Sequence, residues 1–173
     1  MNSKKLVFMA ILLSLSLVIY IIEAQIPPLV PIPGFKIGLS NSITLFALAT
    51  LKKRDALIIL VLRIITASVF SGGMSAFLYS ISGGMLCFIV EALIINLFTE
   101  KQLWIVSIFG AISHNIGQVL VAVLITKTPY IAWYIVPLTA ISVITGLFIG
   151  ILTTMLLLHS NGILKKSVKD INT

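Results

Sequence analysis

Charge is scarce in this 173-residue chain: 10% of its residues are Asp, Glu, Lys or Arg, against 59% hydrophobic ones. A soluble domain of this size needs a polar exterior, so the shortage excludes one and makes lipid the main solvent. A mean hydropathy of +1.17 says the same. Acidic residues are scarcer still: Glu23, Asp55, Glu91, Glu100 and Asp170 are the whole set, and no two are close in sequence. That scarcity weighs against a two-metal site or a glycosidase-type carboxylate pair. The single cysteine, Cys87, cannot form an intramolecular disulfide, and inside an apolar run it reads as a small packing residue. No G-x-x-x-x-G-K-[ST] phosphate loop occurs, so an ATPase of that kind would have to be another polypeptide. His114 alone cannot make a metal site, His159 lies at the far end of the last span, and neither metal nor cofactor is expected.

The net charge of +7 comes from residues in short connections between apolar runs, not from a basic face with interleaved aromatics. It therefore speaks for membrane orientation and against nucleic acid. Apolar runs between charged or Pro/Gly-rich breaks predict a single all-α membrane domain over 1–173. Its six spans fall at about 6–25, 37–51, 56–71, 76–98, 103–126 and 132–158. The first run is too long for a signal-peptide core and has no convincing cleavage site, so it reads as a span. The second and third are short and predict helices that tilt little, stop inside the bilayer or are broken. With six spans, Lys4, Lys5, Lys52, Lys53, Arg54, Lys101, Lys165, Lys166 and Lys169 fall on one side, and only Lys36 and Lys127 on the other. The positive-inside rule then puts both termini in the cytoplasm, in a multi-pass cell-membrane protein.

Polar side chains inside these runs are the candidate functional groups. Arg63 and Glu91 each lie eight residues from a break at the same side, about 12 Å deep on an ideal helix. The matched depth predicts an intramembrane Arg63–Glu91 ion pair. In "GAISHNIGQ", His114, Asn115 and Gln118 recur at helical spacing and predict a polar stripe in the outer half of the fifth span. Such a stripe either binds other helices or lines a cavity. "PIPGFKIGLSN" brings Lys36, Ser40 and Asn41 to the start of the second span behind a proline-stiffened loop. The expected substrate site is thus Lys36, Ser40, Asn41, His114, Asn115 and Gln118, although Lys36 could instead snorkel to the interface and pair with Glu23. Trp133 and Tyr134 suit either an amphipathic ligand or an interfacial aromatic belt. Gly146 and Gly150 form a G-x-x-x-G pair, and Ala10 with Ser14 a small-x-x-x-small pair, which fit internal packing or a docking face for another membrane subunit.

"PIPGFKIGLSN", "SISGGM" and "GAISHNIGQ", in order along nearly the whole chain, resemble the Gx transporter family, also described as heptaprenyl diphosphate synthase component I. That family is similar in turn to the substrate-binding S components of energy-coupling-factor (ECF) transporters, which are small six-helix bundles. The resemblance implies a membrane subunit that captures a small organic molecule, with a coupling membrane subunit and ATPase subunits on separate chains. It also implies that Ala10 belongs to a partner-docking A-x-x-x-A face, from which Ser14 departs. The alternative is a non-catalytic membrane component associated with a polyprenyl diphosphate synthase in quinone or isoprenoid biosynthesis. Prenyl transfer by the usual route needs clustered aspartates to hold Mg²⁺ on diphosphate, and these are lacking, so the chain is not expected to be an enzyme.

Overall fold

A computed structural model describes the backbone of residues 3–25, 38–71 and 73–172, and the side chains of 3–25, 38–70 and 73–159. The described residues form six α-helices and no strand. They are α1 (Ser3–Ala24), α2 (Asn41–Thr50), α3 (Lys53–Ser71), α4 (Met74–Ile94), α5 (Leu103–Thr126) and α6 (Ile135–Asn172). Four are long and apolar enough to cross a membrane: α1, α4, α5 and α6 with their short 3₁₀ extensions. The ten-residue α2 spans about 15 Å, half of a roughly 30 Å hydrocarbon core. The 19-residue α3 carries Lys53, Arg54, Asp55 and Arg63, which lower its apolar character.

Local chemistry sets the helix ends. α2 stops at Leu51, whose backbone is extended, and the charged Lys52–Asp55 run opens α3 with Asp55 in its first turn. There Asp55 complements the helix dipole and meets Lys5 of α1 at 2.6 Å. Between α4 and α5, Thr99 and Gln102 form a reciprocal capping box that ties down the connection. Lys127, left-handed at φ 52°, closes α5, and Pro129 begins the 3₁₀ turn that leads to α6.

α5 packs between α4 and α6, while α2 lies inside the bundle against α1, α3, α4 and α6. Every residue of α2 from Asn41 to Leu48 is buried, as befits a helix with neighbours on all sides. Leu12, Phe46, Ile59, Leu60, Ile64, Phe88 and Leu157 form the main apolar core around it. Gly146 and Gly150 face α5: a Cβ on Gly150 would sit 2.3 Å from Trp104 Cα, so this pair serves internal packing.

The distribution of polarity is inverted relative to a soluble protein. Arg63, Glu91, Ser107, Gln118, Ser142 and Thr153 are at most 4% exposed, whereas Val69, Phe70, Leu124 and Ile144 are at least 70% exposed. Lipid tolerates the second set and penalises the first. The chain is a helical membrane protein.

Candidate functional site

The site is built where α2 begins. Gly38 has φ +85°, a conformation open to glycine, and this turns the chain so that Gly38 and Leu39 carbonyls accept from the Asn41 and Ser42 amides. The Gly38 amide donates to Glu23 Oε1 at the end of α1, and Ser16 Oγ of α1 donates to the Ser40 carbonyl at 3.3 Å. The last turns of α1 therefore hold the start of α2 at two points.

Arg63, midway along α3, reaches the same place. Its Nη1 donates to Ser40 Oγ at 2.8 Å and its Nη2 to Asn41 Oδ1 at 3.0 Å. With its oxygen so engaged, the Asn41 amide turns its nitrogen to His114 Nδ1 of α5 at 3.2 Å. Nδ1 must then accept, which leaves the imidazole proton on Nε2, and Gly83 of α4 packs beside the ring. A hydrogen-bonded relay, Arg63–Asn41–His114, thus links α3, α2 and α5.

These groups enclose a cavity of about 20 Å³ lined by Tyr20, Glu23, Arg63, Ser80, His114 and Gln118, among others. That volume holds about one water. Two of its acceptors, Glu23 Oε2 and Gln118 Oε1, are buried without a hydrogen-bond partner. Beyond the Asn41–His114 contact lies a second cavity of about 10 Å³, bordered by Cys87, Glu91 and Ser107, where Glu91 Oε2 is also unpartnered.

Of the expected site residues, Ser40, Asn41, His114 and Gln118 come together. Lys36 lies outside the described residues. Asn115 is placed elsewhere: its Nδ2 donates to Ser142 Oγ of α6 at 2.5 Å and lies 3.4 Å from the Leu138 carbonyl, so it joins helices. The expected Arg63–Glu91 ion pair is replaced by the Ser40 and Asn41 bonds. Among the described residues the ion pair within 4 Å is Lys5–Asp55. Equal depth did not bring the two charges face to face, because Glu91 turns to α5, where its carboxyl fills the space beside Gly110. Trp133 is 76% exposed, away from the cavity. Sequence reasoning missed Glu23 as a site residue. Its signal was an acid closing an apolar run, just before the proline-rich segment. Among the described residues, no three His, Cys, Asp or Glu gather in a way that could hold a metal.

A family model described as heptaprenyl diphosphate synthase component I matches residues 12–156. The chain belongs to the heptaprenyl diphosphate synthase component I family. The matched stretch runs from α1 into α6 and contains every described residue of the Arg63 cavity. It matches no curated protein and no solved structure.

Proposed function

We propose that the protein is a membrane-embedded substrate-binding subunit that takes up a small organic molecule as part of an ECF-type transporter. The observation that carries this reading is the buried cavity with an oriented guanidinium and two unpartnered acceptors. Desolvated acceptors without partners cost about 1–3 kcal/mol each, so a chain that keeps them gains most when a ligand supplies the donors. Arg63, always protonated and held by two bonds, is preorganised for an anionic or polar group and loses little freedom on binding. His114 and Asn41 fix the cavity's shape, and their relay couples it to α2, α3 and α5.

The chemistry of the lining supports binding rather than turnover. Among the described residues no hydrogen-bonded nucleophile–base pair lines the cavity, and the carboxylate there, Glu23, has no second acid beside it to share metal or proton work. ATP hydrolysis belongs to partner chains. The α1 face that carries Ala10 and Ser14 is exposed together with Leu6, Val7, Ile11 and Leu15, and this is the surface offered to a coupling subunit. We place both termini in the cytoplasm on the charge bias of the connections.

A second reading is favoured by the family's description: a non-catalytic membrane component that assists a polyprenyl diphosphate synthase on another chain. Affinity purification of the full chain from native membranes separates the two. A transporter subunit should bring down a membrane subunit and a phosphate-loop ATPase. Recovery of a prenyl synthase in their place would overturn the transport reading.

A further inference from the structure

Resting on the substrate-binding reading, we infer that the ligand is a small zwitterion. Its N–H-bearing ammonium group would lie against Glu23 Oε2 and Gln118 Oε1, and its anionic group against Arg63. The charge arrangement leads there. Glu23 and Arg63 are each 4% exposed and line one cavity, yet their charged atoms are not within 4 Å of each other. The two charges balance but stay apart, each oriented by neutral partners: Glu23 by the Gly38 amide, Arg63 by Ser40 and Asn41.

Each simpler ligand class leaves a fault. A plain anion would satisfy Arg63 but add repulsion at Glu23 and leave two acceptors bare. A plain amine would satisfy the acceptors and set a second cation in the field of Arg63. An apolar isoprenoid would strip water from all three groups and replace nothing. A zwitterion answers every group and adds no net charge to a buried, neutral site. The acceptors require hydrogens on the cationic nitrogen, which excludes quaternary ammonium groups. At about 20 Å³ the cavity as it stands holds one water, so the zwitterion enters by displacing that water and moving the side chains that line it apart.

The test uses the full-length protein in lipid nanodiscs, its thermal unfolding measured with named probes. These are the α-amino acids with uncharged side chains, β-alanine and γ-aminobutyrate, with propionate, propylamine and trimethylglycine as controls. At least one amino acid should raise the melting temperature, and all three controls should fail to. Glu23→Gln, whose amide oxygen can still accept from Gly38, and Gln118→Met should each weaken binding of that probe at least tenfold. The probe-free melting temperatures of both variants show that they fold. Stabilisation by propionate, propylamine or trimethylglycine equal to that by the amino acids overturns the zwitterion while leaving the binding site standing. So does a non-zwitterionic molecule found bound to the purified protein. Failure of every probe, with no organic molecule bound, overturns both.

Discussion

Two neighbours on α5, Asn115 and Gln118, should respond to truncation in opposite ways. Asn115→Ala removes the bond to Ser142 Oγ and the weaker contact with the Leu138 carbonyl. Ser142 keeps its own donation to Leu138 at 2.7 Å, so no donor is orphaned and the loss is about one hydrogen bond. Such a bond contributes about 0.5–1.5 kcal/mol, and about 0.6 on average between membrane helices. The void left by a side chain that is 6% exposed adds to this. A total of about 1–2 kcal/mol corresponds to a melting temperature lower by roughly 2–8 °C for a chain of this size. Gln118→Met removes a buried acceptor that has no partner. Its stability should hold or rise by about 1 kcal/mol, while affinity for a bound solute falls roughly tenfold. Intrinsic tryptophan fluorescence on heating in detergent reads the first effect, and ligand retained per protein reads the second. If Gln118→Met melts as early as Asn115→Ala and retains ligand as the unaltered protein does, Gln118 is a packing residue and the cavity is misread.

Four further outcomes follow from the same contacts. Arg63→Met leaves Ser40 Oγ and Asn41 Oδ1 without their donor and Glu23 without its counter-charge, so it should destabilise by about 3–5 kcal/mol. Adding Glu23→Gln should recover part of that loss in thermal unfolding, and strict additivity would show that the two charges do not interact. Gly150→Ala drives a methyl into the Trp104 backbone and should cost about 1–3 kcal/mol by separating α5 from α6; an unchanged melting temperature would deny that contact. Ser14→Leu, on the exposed face of α1, should leave the melting temperature unchanged but abolish recovery of a coupling subunit; intact recovery would move the docking face elsewhere. For orientation, a cysteine placed at Thr128 in a Cys87→Ala background should react with an impermeant reagent added outside, and one at Lys53 should not; the reverse would invert the topology.

Helix number and rough position were legible because apolar runs and charged breaks alternate along the chain. α2 was the hardest to read: the run 37–51 promised more than the ten residues found, since Gly38 and Ser40 belong to a turn fixed by α1, a contact no local pattern encodes. At the site, Ser40, Asn41, His114 and Gln118 were readable as polar groups in apolar surroundings. Helical spacing overreached at Asn115, which is about 100° around the axis from His114 and so meets α6 while His114 meets α2. The same geometry misled the pairing of Arg63 with Glu91. Rise per residue gives depth, but azimuth depends on which neighbours the helix acquires. Glu23 was visible only as a partner for Lys36, because its role depends on the fold bringing α1, α2 and α3 to one point.

That the Arg63–Glu23 cavity binds a solute is tested most directly by what the protein carries. Mass spectrometry of small molecules released on denaturation should be run on the full chain and on a folded Gln118→Met variant, purified side by side from the same membranes. One small organic molecule, near one per chain, should leave the unaltered protein and be depleted about tenfold from the variant. Identical release from both, or release of nothing but bulk lipid, would contradict a solute site in this cavity.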